Sequence, residues 1–249
     1  MKERNITLLH RAAGWSIHVF TASGAYIGVL ALLAIYQGKP LIAFWLMGAS
    51  ILIDAMDGMF ARMIKIKIAV PNIDGALLDN IVDFFTYVMI PAFFLLTIPL
   101  VPMAWRFLGV AAVTFSSAYQ FSQVDAKTED HFFKGFPSYW NIVVFYLFFW
   151  QMDPRVNIVI ILFLALLSFV PVKYVYPSRL DYLTKSNKLR FAMFLATLVW
   201  GGATAGLLWV YPKTNHFLVS LSMGYLILYV AISLYRTWVP LVKKKRRPL

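Results

Sequence analysis

Apolar stretches of about 20 residues recur along almost the whole of this chain, and that repetition restricts the fold more than any other feature of the sequence. They run over about 16–36, 40–61, 74–98, 101–121, 136–152, 155–172, 190–211 and 215–238. In hydrocarbon every backbone N–H and C=O must be satisfied within the protein, so segments of this composition and length are helices. Of the 249 residues 61% are hydrophobic, more than a single soluble core can bury. The expectation is an all-α, polytopic integral membrane protein of about eight transmembrane helices, forming one domain over residues 1–249 without a separate soluble module.

The ends of the chain have their own character. "MKERNITLLHRAAGW" leads into an apolar run long enough to span, so no cleaved leader is expected. Residues 1–15 read instead as an amphipathic segment along the interface, with Trp15 at headgroup depth. Residues 243–249, with "KKKRR", read as a basic cytoplasmic tail anchored on lipid headgroups.

The distribution of positive charge orients the helices. One side of the expected topology carries Lys2, Arg4, Arg11, Arg62, Lys65, Lys67, Lys127, Lys134, Lys173, Arg179, Lys185, Lys188, Arg190, Arg236 and the run from Lys243 to Arg247. The other side carries only Lys39, Arg106, Arg155 and Lys213. That asymmetry puts both termini in the cytoplasm. It also accounts for the net charge of +12 through topology and anionic lipid, leaving no reason to expect nucleic acid as a partner. With no cysteine, the chain has no disulfide, thiolate metal site or cysteine nucleophile.

Against this background the acids are conspicuous. Of eleven Asp and Glu residues, five (Asp54, Asp57, Asp74, Asp79 and Asp83) fall in one thirty-residue stretch between oily segments. On helices, Asp54 and Asp57 share a face, as do Asp79 and Asp83. The short cytoplasmic connection between the second and third segments makes them antiparallel neighbours, so the two pairs face one another at similar depth. Four carboxylates that close cannot all stay ionised without help, and a divalent cation supplies it. An all-oxygen donor set favours Mg²⁺ or Mn²⁺, and four carboxylates suffice for two ions. Asp74, which opens a helix after "VPN", is as well explained by capping. For the others, surface pairing with Arg62, Lys65 and Lys67 fails because Asp79 and Asp83 lie inside the span.

Small residues flank the acids. Gly58, Ala61 and Gly75 permit close approach of a helix or a flat ligand, and Arg62 can meet a phosphate. Together these features describe a site for a nucleotide diphosphate and its metal.

The pattern Asp54-x-x-Asp57-Gly58-x-x-Ala61-Arg62 … Gly75-x-x-x-Asp79-x-x-x-Asp83 resembles the signature of the CDP-alcohol phosphatidyltransferases. These are membrane enzymes that join an alcohol to a phosphatidyl or related group with loss of CMP. Twelve residues, Met63 to Asp74, separate Arg62 from Gly75, where most of the family have eight. That interval is similar to that of the bacterial phosphatidylcholine synthases, as are "HVFTASG" at 18–24 and "FKGFPSYWN" at 133–141.

The resemblance implies a division of labour. Asp54, Asp57, Asp79 and Asp83 would hold two Mg²⁺ or Mn²⁺ ions, and Asp83 would also be the general base. Gly58, Ala61, Arg62 and Gly75 would bind the cytidine nucleotide of CDP-diacylglycerol, with choline as acceptor. The place would be the bacterial cytoplasmic (inner) membrane, with the active site on the cytoplasmic side, and a homodimer is expected on the same ground.

Choline's quaternary ammonium calls for aromatic faces. Tyr119, Tyr139 and Trp140 lie at the right depth, although an interfacial belt or packing explains any one of them as well. Lys134 and Arg179 are candidates for lipid phosphate. His18, beside Thr21 and Ser23, suits either a contact to the nucleotide or an interhelical bond. Ser117, Gln120 and Asn141 suit helix–helix hydrogen bonding. Two other readings stand beside this one: serine as acceptor, as in phosphatidylserine synthase, and a cation or proton-coupled transporter using the intramembrane acids.

Overall fold

The computed structural model describes residues 7–126, 128, 132–176, 184, 186–213 and 215–239. It is helical almost throughout, with two compact units, one within residues 1–121 and 138–163 and one within 122–137 and 164–249. Arg179, residues 1–6 of the expected interfacial segment and the expected basic tail lie outside the described residues.

The first unit is built on α1 (Leu8–Tyr36), α2 (Pro40–Ile64) and a third long helix in three parts. Thr7 caps α1 by accepting from the His10 backbone N–H at 3.2 Å. Pro40 in the first turn of α2 leaves no helical hydrogen bond unmade, since that turn has no intrahelical acceptor to offer. Lys65, in the left-handed region at φ 54°, ends α2 and leads through the single turn α3 (Ile66–Ala69). The third helix then runs through α4 (Gly75–Asp83), a π-helical stretch over Phe84–Met89 and α5 (Ile90–Thr97). In a regular α-helix the ring of Pro91 would strike the carbonyl of Tyr87, and Pro91 has no N–H to donate. The wider π turn relieves that conflict and displaces everything beyond Asp83.

These helices pack closely because α1 presents small residues. Its buried positions are Gly14, His18, Thr21, Gly24, Gly28, Ala31, Ala34 and Ile35, a stripe with nearly heptad spacing. A Cβ at Gly24 would meet Val82 at 3.0 Å and Ile53 at 3.8 Å, so this one glycine touches both α4 and α2. At the opposite end of α2 from the acids, Phe44 packs on Phe94, Phe145 and Phe148. Large apolar side chains such as Val19, Val29, Leu33 and Leu52 are exposed on the outer faces, as lipid contact requires.

α6 (Arg106–Ser122), α7 (Trp140–Trp150) and α8 (Pro154–Leu167) follow. In the second unit, a two-stranded antiparallel ribbon pairs β1 (Phe133–Lys134) with β2 (Lys173–Tyr174). The ribbon meets α10 (His216–Trp238) through Ser233 and Thr237, which accept from the Val175 and Lys173 backbone N–H groups at 3.2 and 2.8 Å. α10 packs on α9 (Asn187–Val210), where Trp200 stacks on Tyr225 at 5.3 Å.

Among the described residues each of the eight expected spans corresponds to a helix or a continuous helical run, and five of these are long and apolar enough to cross a membrane. The five are Leu8–Tyr36, Pro40–Ile64, Gly75–Thr97, Asn187–Val210 and His216–Trp238. α6, α7 and α8 have 17, 11 and 14 residues, less than the ~30 Å of hydrocarbon asks of a straight helix.

A Cβ at Gly28 would lie 2.7 Å from the Phe85 ring and 3.0 Å from Ile90. Gly28→Ala is therefore expected to destabilise the protein by about 1–3 kcal/mol. Gly48→Ala, with nothing within 4 Å of the new methyl, is expected to be neutral or stabilising. Thermal unfolding of the two variants in detergent checks the contrast.

Candidate active site

Three of the four acids expected to meet do so, and Asp83 is not among them. Asp54 and Asp57, near the end of α2, and Asp79, on α4, each offer a carboxylate oxygen within 4.8 Å of the others. Asp57 is buried, at 6% exposure, while Asp54, Asp79 and Asp83 are half-buried. Three carboxylates at such separation repel one another strongly in a poorly solvated position, so their oxygens could hold a divalent ion. Among the described residues no histidine belongs to this group, and the donor set is that of a hard cation.

The helix geometry around the trio has identifiable supports. Tyr87, buried in the π-helical stretch, donates its hydroxyl to Asp54 Oδ2 at 2.8 Å. It also lies in the electrostatic neighbourhood of Asp83, which is outside the trio of converging oxygens. Thr21 of α1, whose hydroxyl donates to the Ile17 carbonyl at 3.2 Å, lies beside the Asp57 carboxylate, and the Arg62 charge faces the same group. Three helices thus share in fixing two aspartates.

The small residues lie against the same edge. The Arg62 guanidinium passes over Gly58, where a Cβ would sit 3.2 Å from Nη1. Ala61 is half-buried one position before Arg62. Gly75 meets the His18 ring, with 3.1 Å between its would-be Cβ and His18 Cε1. Asp74 is the N-cap of α4, accepting from the Ala76 and Leu77 backbone N–H groups at 3.0 and 3.1 Å, which settles the choice left open by the sequence in favour of capping.

The other candidates fall in several places. Tyr139 packs against Tyr87 with 5.9 Å between ring centroids, which links it to the acids through the Asp54 hydrogen bond. Trp140 is fully buried and donates its indole N–H to Ser117 Oγ at 2.8 Å, an interhelical bond from α7 to α6. Tyr119, on α6, is 43% exposed. Gln120 and Asn141 are buried, and Asn141 Oδ1 accepts from the Ile142 N–H. Lys134, in the second unit, forms an ion pair with Asp125 at 2.7 Å. That hydrogen bond and charge hold the Asp125 carboxyl below its usual range.

Two supporting residues escaped the sequence reading. Tyr87 stands four residues after Asp83, as Asp83 stands four after Asp79, and this spacing is the signal that marks it. Thr21 had only its place beside His18 to suggest a role.

Comparison with known proteins agrees with the geometry. The profile of the CDP-alcohol phosphatidyltransferase family matches residues 18–175, more than half of the chain and the whole acidic stretch. A phosphatidylcholine synthase of Legionella pneumophila is 51% identical over 240 residues, covering 96% of this chain and 94% of the relative. A second, from Legionella bozemanae, is 49% identical over 217 residues, 87% of this chain and 100% of the relative. One from Pseudomonas aeruginosa is 32% identical over 233 residues, 94% and 95% of the two chains. The chain belongs to the CDP-alcohol phosphatidyltransferase family, and it is a membrane-embedded transferase of phospholipid synthesis.

Replacing Tyr87 by Phe removes the hydroxyl that orients Asp54 and leaves the ring. The divalent-ion concentration needed for half-maximal activity is expected to rise about 10–100-fold. Titrating activity with Mn²⁺ or Mg²⁺ in wild type and Tyr87→Phe reads this directly.

Proposed function

We propose that this chain is a phosphatidylcholine synthase that transfers the phosphatidyl group of CDP-diacylglycerol to choline and releases CMP. The observation that carries the reading is the meeting of Asp54, Asp57 and Asp79 within the family signature, in a chain about half identical to phosphatidylcholine synthases. The chain would act as one membrane domain of about eight crossings with both termini in the cytoplasm, the crossings at α6, α7 and α8 needing the chain beside these short helices as well. Positive-inside asymmetry supports that orientation, and with it a place for the acids at the cytoplasmic side of what would be the bacterial inner membrane.

Asp54, Asp57, Asp79 and Asp83 are proposed to hold two ions of Mg²⁺ or Mn²⁺. Bound there, the ions would neutralise charge on the diphosphate and stabilise the departing CMP. Gly58, Ala61, Arg62 and Gly75 are proposed to bind the cytidine nucleotide, the Arg62 guanidinium offering paired donors to a phosphate. The choline oxygen forms a bond to the phosphorus that bears diacylglycerol as the bond from that phosphorus to the CMP oxygen breaks. Asp83, one helical turn beyond Asp79, takes the hydroxyl proton, the role the family resemblance implies for it.

The acceptor's ammonium has no N–H to donate, so aromatic faces select it. Tyr139, tilted against Tyr87, whose hydroxyl reaches Asp54, is the first such wall, with Tyr119 and Trp140 as the further candidates. Lys134 and Arg179 would meet lipid phosphate at the headgroup level. A homodimer is part of the same proposal and rests on family resemblance.

Radiolabelled choline incorporation by purified protein supplied with CDP-diacylglycerol tests the reading. Product formation is expected to stop on chelation and to return with Mn²⁺ or Mg²⁺. Asp83→Asn is expected to cut turnover by about 10²–10⁴-fold without loss of folded protein. Unchanged turnover in that variant, or incorporation of serine in place of choline, would contradict the proposal.

A further inference from the structure

The α1 helix contributes a side chain that the reaction described so far does not use. His18 is 5% exposed, and its Nε2 is buried without a hydrogen-bond partner. Buried ring nitrogens of histidine are ordinarily paired, so an unpaired one in a native fold asks for a partner that the protein itself does not supply.

Trp15 contacts the His18 ring edge-on at 6.3 Å between centroids, one turn earlier on the same face of α1. Thr21, one turn later, lies beside the Asp57 carboxylate. Across the helix interface the ring lies against Gly75, with Cε1 at 3.1 Å from the position of a Cβ there. Gly75 opens α4 one turn before Asp79, which belongs to the converging carboxylate trio. His18 is therefore held between Trp15 and the backbone of Gly75, a residue of the nucleotide signature, on the stretch of α1 whose Thr21 lies beside Asp57.

We propose that His18 is a nucleotide-binding residue whose Nε2 makes a hydrogen bond to the cytidine nucleotide of the bound substrate. The inference rests on the proposed nucleotide site and extends it to α1, which carries none of the signature residues. It also gives Gly75 a physical reason: a methyl group at that position would push the imidazole from the place where it meets the ligand. A neutral imidazole can donate or accept at Nε2 according to its tautomer, so the bond needs no charge on the ring.

The test combines direct binding of CMP to purified protein, in the presence of Mg²⁺, with choline incorporation. His18→Ala is expected to weaken CMP binding about tenfold or more, the scale of losing one hydrogen bond to a charged or strongly polar ligand. The KM for choline at saturating CDP-diacylglycerol is expected to stay within about twofold of wild type. His18→Gln, whose amide reaches the Nε2 position, is expected to recover most of the CMP affinity, whereas His18→Asn, which reaches only the Nδ1 position, is not. If His18→Ala fails to fold, the Gln and Asn pair decides by the same measurement.

CMP affinity within twofold of wild type in His18→Ala would overturn the inference and assign the nitrogen to a buried water. Equal losses in the Gln and Asn variants would overturn it as well. Wild-type protein that binds CMP but transfers to serine would overturn the choline reading and leave the His18 inference standing. Wild-type protein that binds no CMP would overturn both.

Discussion

Electrostatic repulsion among carboxylates in a poorly solvated place is the constraint on which this molecule is organised. Asp54, Asp57 and Asp79 come from two helices and bring oxygens within 4.8 Å of one another. Nothing in the hydrophobic effect favours that arrangement, and lipid makes it worse. The packing that imposes it is extensive, and a bound cation would convert the conflict into a binding site. The Tyr87 hydroxyl on Asp54, with Thr21 and Arg62 facing Asp57, would orient these carboxylates for such an ion.

Close packing of α1 against α2 and α4 makes the arrangement rigid. A stripe of small residues on α1 lets the third helix approach until Val82 and Phe85 touch glycine. The phenylalanine cluster around Phe44 locks the opposite end of the same helices, about ten residues from Asp54 along α2. Van der Waals contact therefore dominates one end of this unit, and charge dominates the other. A site so placed can take a nucleotide from water while the acyl chains of its lipid stay among the apolar outer faces.

Much of this was legible in the sequence, for a physical reason. Helical periodicity alone aligns residues three and four apart, so Asp54 pairs with Asp57 and Asp79 with Asp83 on spacing alone. Tyr87 is harder to read because the π turn after Asp83 rotates the later residues of the helix relative to the acids, and its cause, Pro91, lies downstream. The fifth expected span is longer than the helix found there. "FPSYWNIVVFYLFFWQ" is apolar for most of its length, but Ser138 at φ 58° and Gln151 at φ 47° limit α7 to eleven residues. Hydropathy does not register where a backbone leaves the helical region. His18 shows only its neighbours in the sequence, whereas its unpaired nitrogen is a property of the packed helices.

The central claim is that two helices share one metal site. Mn²⁺ binding to the protein in lipid nanodiscs, followed by electron paramagnetic resonance, tests it most directly when Asp79 alone is changed to Asn. The account predicts loss of Mn²⁺ binding although Asp54 and Asp57 remain intact on the neighbouring helix. Mn²⁺ binding with wild-type affinity in Asp79→Asn would show that α4 contributes no ligand, and the shared pocket would be wrong.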